Sequence, residues 1–500
     1  MSSAIKNSAY YAIGSVIKAA SSFLLLPLFA NILGAEQYGI FNVLQTFSAI
    51  LGTLMTMATE RSLYRLLYDY KTASDRIIFL STTFWTINII SGIIFFICLC
   101  FGTYISLFIG NIDIYKVLLP VVIYTFLMSL INYTQILMQI EQKGAIYFKI
   151  SLMVLVIYNI TSLICLFFYS KTVESLICGN VIANLLVFPF AFYNIRKRIR
   201  FVFSFKVLHN VLRYSLPMFV MIVFSWLLSM TDRLYIANLV NFKEAGIYSL
   251  ASKFMQVITL FAGAIFQAYG PYFYKTTSNF DYNTVLHKLK PINECITLMI
   301  CMIAILVCSF SKVIISVFFT SVYRPCTVYI YILSLSCVFT QQSGLLNLMI
   351  YQNKKTIGLS LITVFCALLS LILNYSLIPT FGPLAAGFSN LITGISLFGL
   401  TFSLAKRNYY IPLGYKILLY TTCVIFLLFI YDSIIENLFL GVFFKTGSLF
   451  LLIYCAYKSN VISKDAYPII GKMTKKYSLN FLLYDLFTNF MYSYTFCNFS

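Results

Sequence analysis

The chain has 500 residues, 60% of them hydrophobic and 10% charged, with 35 Lys and Arg against 15 Asp and Glu for a formal net charge of +20. Soluble domains carry about 25% charged residues, so this composition and a mean hydropathy of +0.88 exclude a water-soluble globular protein. The basicity would fit a nucleic-acid partner only if the charges clustered into a patch, and they do not.

Hydropathy predicts fourteen helical spans, near residues 10–32, 40–59, 77–101, 116–138, 150–168, 176–193, 214–237, 247–269, 292–311, 326–349, 357–378, 384–404, 415–431 and 437–457. Each is close to the ~20 residues that cross a bilayer's hydrocarbon core. The first apolar run continues a helical pattern from Tyr10 with no small-residue cleavage site behind it, so it reads as a retained span and not a signal peptide. With a cytoplasmic N-terminus, most Lys and Arg fall in the inner loops, and only Lys116, Lys171, Lys243, Lys312 and Arg324 fall in the outer ones. That asymmetry is the positive-inside pattern. It predicts a multi-pass protein with both termini in the cytoplasm and no nucleic-acid role.

The expected fold is all-α and polytopic, with two six-helix pseudo-repeats around a central cavity plus two extra helices. Residues 1–195 form the first bundle and 214–405 the second. A basic linker, 196–213, reads as a hinge-like seam between them. Residues 406–457 hold the extra helix pair, which has no counterpart in the first half, and 458–500 form an aromatic-rich tail.

The repeat is read from two helix pairs. Setting Gly246-Ile247-Tyr248 on Gly39-Ile40-Phe41 also brings Ala237-Asn238 onto Ala30-Asn31. Under that alignment Asn42, Gln45, Ala49, Gly52, Thr56 and Glu60 match Ser249, Ser252, Gln256, Thr259, Gly263 and Gln267. Both sets recur at steps of three and four, one face of a helix. In the preceding spans Lys18 and Ser22 match Ser225 and Ser229. Paired polar faces in parallel repeats are a common plan for transporters, with substrate between the halves.

Charges inside spans are costly and mark function or pairing. Lys18 shares a face with Tyr11, Ser15 and Ser22, as a lumen cation for an anionic cargo or as a snorkelling anchor. Asp232, Arg233 and Lys253 form a candidate gating or ion-coupling set, and an Asp232–Lys253 pair across two antiparallel helices would neutralise both charges. Glu60 is grouped with them. Arg61 and Arg65 close the second span, either as topological anchors or as guanidinium receivers for a diphosphate. Gln256 and Gln267 complete the candidate lumen set.

Catalytic and metal chemistry find no support. Neither paired carboxylates in the spans nor a Gly-rich phosphate loop is present, so no ATP-driven pump is expected. The 13 cysteines lie mostly in apolar spans without a CxxC pair, and His209 and His287 sit in basic loops without a ligand cluster. No metal and no cofactor is expected, beyond a proton or sodium gradient as a drive.

The run Pro27-Leu28-Phe29-Ala30-Asn31-Ile32-Leu33-Gly34-Ala35-Glu36-Gln37-Tyr38-Gly39 resembles the opening of Wzx-type O-antigen flippases. So do Ser215-Leu216-Pro217, Thr231-Asp232-Arg233 and Ala245-Gly246-Ile247-Tyr248-Ser249-Leu250-Ala251-Ser252-Lys253. The resemblance covers most of residues 8–405. It implies a polysaccharide transporter that exports an undecaprenyl-diphosphate-linked glycan across a bacterial inner membrane by alternating access. Membrane lipids, and the polymerase and chain-length proteins of the same pathway, are the implied partners, and Tyr11, Trp226 and Tyr235 the candidate sugar platforms. Members often have twelve spans, so the extra pair is a departure. A lipid II flippase remains open as an alternative. A multidrug exporter would place a carboxylate where the first span has Lys18, and a polymerase or ligase would carry a large external loop that this chain lacks.

Overall fold

The computed structural model describes residues 23–110, 112–352 and 356–434, with isolated positions 10, 14, 17 and 21. Lys18, Ser22, Tyr11, Ser15, the span at 437–457 and the tail at 458–500 lie outside the described residues.

Among the described residues every regular element is helical: α1 (Leu26–Thr56), α2 (Thr59–Leu66), α3 (Ala73–Cys100), α4 (Gly102–Ile109), α5 (Leu119–Ile140), α6 (Gly144–Phe168), α7 (Val173–Ile195), α8 (Phe205–Leu239), α9 (Phe242–Asn279), α10 (Tyr282–Phe318), α11 (Cys326–Gln352), α12 (Thr356–Phe381), α13 (Pro383–Asn408) and α14 (Tyr415–Ile434). Eleven of the helices are long and apolar enough to cross a membrane. This is an all-helical, multi-pass membrane protein.

Local chemistry sets the helix ends. Pro27 occupies the first turn of α1, where its missing N–H costs nothing. Thr72 caps α3 by accepting from the Asp75 amide at 3.1 Å. The loop expected between the first two spans is absent: the chain stays helical on both sides of Gly34, whose φ of 72° makes a single-residue kink that glycine adopts without a Cβ penalty.

The described residues fall into two compact units, the first drawing on Met1–Lys253, Ile314–Tyr329 and Ser360–Thr393, the second on Phe254–Val313, Ile330–Leu359 and Gly394–Ser500. In the first unit, α6 packs along α7 so closely that a Cβ on Gly179 would lie 2.7 Å from the Ser162 Cα. Small residues at such crossings let membrane helices approach backbone to backbone. Asn31 donates to the Phe318 carbonyl at 2.8 Å and accepts from the Thr320 amide at 3.2 Å, closing the end of α10.

The basic stretch 196–213, read from sequence as a hinge-like seam, is hydrogen-bonded and partly helical. Its first half is fastened to α3: the Arg200 amide donates to Ser81 Oγ at 2.8 Å, the Ser204 amide to Thr82 Oγ1 at 3.1 Å, and Trp85 Nε1 to the Arg200 carbonyl at 2.9 Å. The Trp85 ring stacks on Phe201, and Arg198 and Lys143 both pair with Glu141. Its second half is the opening of α8, where Val207 and Val211 are buried while Lys206, His209 and Arg213 face out.

In the second unit one apolar core joins α9, α10 and α11 to α14, which contributes Ile417, Leu418, Val424, Ile425 and Leu428. Lys312 donates to the Asp432 carbonyl at 2.9 Å, and the Tyr331 hydroxyl bonds its carboxylate. The thirteenth predicted span is thus built into this core.

Candidate functional site

The first unit contains an open polar cavity of about 710 Å³, lined by α1, α2, α5, α6 and α8. Pockets for ligands typically fall between about 300 and 1,000 Å³. The α1 wall is Ser48, Ala49, Gly52, Thr53 and Thr56, facing Thr125, Ser129, Asn132, Gln135 and Gln139 of α5. Tyr64, Tyr147 and Tyr214 stand around it with Met218 and Ile222. From Thr125 to Gln139 the wall runs about 21 Å along α5 at 1.5 Å per residue.

Much of this lining is already satisfied. Ser48 and Thr125 share a 2.7 Å hydrogen bond, Gln135 donates to Ser151 at 2.9 Å, and Tyr64 donates to Gln139. Three groups are not. Glu60 Oε2 is buried and accepts no hydrogen bond. The Asn132 amide and the exposed Arg61 guanidinium make no hydrogen bond with the described residues, and Arg61 acts on the neighbouring Glu60 carboxylate through its charge alone. The cavity therefore presents an acceptor, an amide and a cation.

The backbone is strained at its edge. Met57 and Ala58, between α1 and α2, have φ of 45° and 55°. Non-glycine residues in the left-handed region cost of order 1–3 kcal/mol each, and such outliers gather at functional sites. Across α1 from the cavity, Phe47, Leu51, Leu54, Ile90, Ile94 and Phe219 line an apolar groove of about 450 Å³.

A second polar cluster lies in the same unit. Asp232 and Arg233 are buried at 5% and 8% exposure. Asn390 Nδ2 donates to Asp232 Oδ2 at 3.0 Å and to the Tyr248 hydroxyl at 2.8 Å, while Asp232 Oδ1 accepts the Arg233 amide at 2.8 Å. Arg233 Nη1 reaches Met230 Sδ at 3.3 Å, and its Nε is buried without a partner. Lys253 makes no ion pair with Asp232, contrary to the pairing expected from sequence. The reason is register: the short link between α8 and α9 sets Asp232 opposite Tyr248, more than a turn short of Lys253.

The remaining candidates divide clearly. Glu60 and Arg61 line the cavity, as do Ala49, Gly52 and Thr56 of the predicted stripe. Arg65 is tied to Asp69 at 2.7 Å on the surface. Asn42 is buried and bonded to the Tyr38 carbonyl at 2.7 Å. Gln45, Ser225, Ser229, Gln256 and Gln267 are exposed and outside the cavity, with Ser229 bonded to the Ser225 carbonyl. Trp226 Nε1 is held by the Thr46 carbonyl at 3.2 Å. Sequence reasoning missed Ser129, Asn132, Gln135 and Gln139, although their steps of three and four along α5 are the signal that exposed the α1 stripe. Asn390, one amide in an apolar span, gave no periodic signal.

Residues 28–328 match the family described as polysaccharide biosynthesis protein, and the chain belongs to it. Among its relatives, "Lsg locus putative protein 1" of Haemophilus influenzae is 24% identical over 276 residues, covering 54% of this chain and 66% of the relative. An "uncharacterized membrane protein" of the same organism is 24% identical over 279 residues, covering 55% of this chain and 66% of its own length. The matches thus span just under two thirds of these relatives. Among solved structures, the fold is similar to lipid II flippase MurJ in an inward closed conformation, with a TM-score of 0.73 at 18% identity over 90% of this chain and 99% of that one. It is also similar to the MATE multidrug transporter DinF-BH, with a TM-score of 0.57 at 15% identity over 80% and 94% of the two chains.

Proposed function

We propose that the chain is a flippase, a transporter and not an enzyme, that moves an undecaprenyl-diphosphate-linked glycan from the cytoplasmic to the periplasmic leaflet of a bacterial inner membrane. Its cargo on this reading is the repeat unit of an O-antigen or a related surface polysaccharide. The observation that carries the reading is a cavity of hydroxyls, amides and tyrosines inside a membrane-spanning unit. Sugars need hydrogen-bonding side chains with aromatic faces, and the free Arg61 guanidinium suits phosphate oxygens. Membership of the polysaccharide biosynthesis family supports the glycan, and the likeness to flippase and exporter folds supports alternating access. The buried Asp232–Asn390–Tyr248 cluster is the candidate for proton or sodium coupling, and the pathway's polymerase and chain-length proteins are the candidate partners.

The test is the sidedness of the lipid-linked repeat unit in cells lacking this protein. Units accumulating on the cytoplasmic face, and cleared by the wild-type chain, support the reading. Units that reach the outer face normally but stay unpolymerised overturn it in favour of a role in assembly.

A further inference from the structure

The cavity pairs a neutral lining with one buried carboxylate oxygen, Glu60 Oε2, that accepts no hydrogen bond, although Thr56 and the Glu60 backbone bond the same carboxyl. Apart from Glu60 and Arg61, the cavity residues described carry no charge; their polar groups are hydroxyls and amides. Glu60 and Arg61 are adjacent, and successive helical side chains point about 100° apart. Accordingly Glu60 is half-buried in the wall with Oε2 closed off from solvent, while Arg61 is exposed. An acceptor without a donor costs free energy that a ligand O–H or N–H recovers when Glu60 turns that oxygen from the wall into the cavity. A ligand carboxylate at the same place meets a like charge instead, with no Lys or Arg beside Arg61 among the described lining residues to offset it.

Resting on the flippase reading, we propose that Glu60 sets the charge class of the cargo: the sugar it meets offers hydroxyl or ammonium donors and carries no carboxylate. Arg61 takes the phosphate-bearing end, and the free Asn132 amide supports the sugar from the facing α5 wall. Glu60 is thus a specificity-determining residue that acts by accepting from the right glycan and repelling the wrong one, the two halves of discrimination.

The test uses the purified full-length chain and two short-chain prenyl diphosphate glycans, one ending in a neutral hexose and one in a hexuronate. Wild type is expected to bind the neutral probe about tenfold or more tighter, the usual effect of a charged-group mismatch in a buried site. Glu60→Gln should bring the two affinities within about threefold, chiefly by gaining the uronate. Glu60→Ala, which removes the same carboxylate, should narrow the ratio likewise, and it serves if Glu60→Gln fails to fold. A wild-type preference for the uronate, or a ratio that neither variant moves, overturns the inference and leaves the flippase reading standing. Failure of wild type to bind either probe overturns both.

Discussion

Gly39 and Gly246 meet backbone to backbone: a Cβ on Gly39 would lie 1.8 Å from the Phe242 carbonyl oxygen, and one on Gly246 2.0 Å from that of Ala35. The contact is reciprocal, since each added Cβ would also stand 2.9 Å from the other glycine's nitrogen. These are the two residues that the internal repeat aligns. Equivalent positions in self-complementary contact are what a two-fold relation produces, and here they meet at a helix crossing between α1 and the start of α9.

A methyl group has no room at this crossing, and the obstacles are backbone atoms that cannot rotate aside. Gly39→Ala and Gly246→Ala should each destabilise the protein by about 1–3 kcal/mol, the usual cost of overpacking. Thermal unfolding of the detergent-solubilised chain checks this. Gly92→Ala is the control, because nothing lies within 4 Å of its added Cβ, and it should unfold like wild type.

Arg61 and Arg65 separate under mutation. Arg65 is held by Asp69 on the surface, and exposed pairs of this kind are worth about 0–1 kcal/mol. Arg65→Ala should therefore leave transport near wild type. Arg61→Ala removes the cavity's free guanidinium and should lower transport about tenfold or more, at the lower end of what a charge-assisted hydrogen bond contributes. Arg61→Lys should restore only part, because an ammonium lacks the planar fork.

Asp232 depends on Asn390 and not on Lys253. Asn390→Ala leaves the carboxylate short of a donor and should cost about 1–3 kcal/mol of stability. In the charge swap, Asp232→Lys combined with Lys253→Asp should do no better than the worse single change. Rescue by the double swap, read as transport or as unfolding temperature, would show that the two residues do pair.

The linker strap can be loosened without touching the cavity. Ser81→Ala removes the acceptor for the Arg200 amide, and Trp85→Phe removes the donor to its carbonyl. Each hydrogen bond is worth about 1 kcal/mol, so the double variant should be cut by trypsin near Arg196–Arg200 about thirtyfold faster than wild type, with the opening equilibrium as the rate-setting quantity.

The sequence carried the fold because its signals are long and periodic. Apolar runs marked most of the helices, whereas the contact between the two aligned glycines is a matter of packing that the alignment does not express. The stripe from Ala49 to Thr56 on α1, with Glu60 at the start of α2, was legible for the same reason, and it forms a wall of the cavity. Other features depend on partners far away in sequence. Asp232 finds Asn390 and not Lys253 because helix register, which composition does not record, decides which side chains are level. Gln45 and Gln256 share the polar stripes yet lie outside the cavity, since a stripe fixes a face and not what stands opposite it. The linker's basic residues hid the Val207 and Val211 period that opens α8.

Flipping itself is measured most directly in vesicles containing the purified chain and a fluorescent prenyl diphosphate glycan present in both leaflets. An impermeant quencher added outside reports the fraction of glycan that can reach the outer leaflet. The account predicts that quenching runs to completion with wild type, and that the phase beyond the outer-leaflet fraction is about tenfold or more slower with Arg61→Ala. Wild-type vesicles that stop at the same level as protein-free vesicles would contradict it.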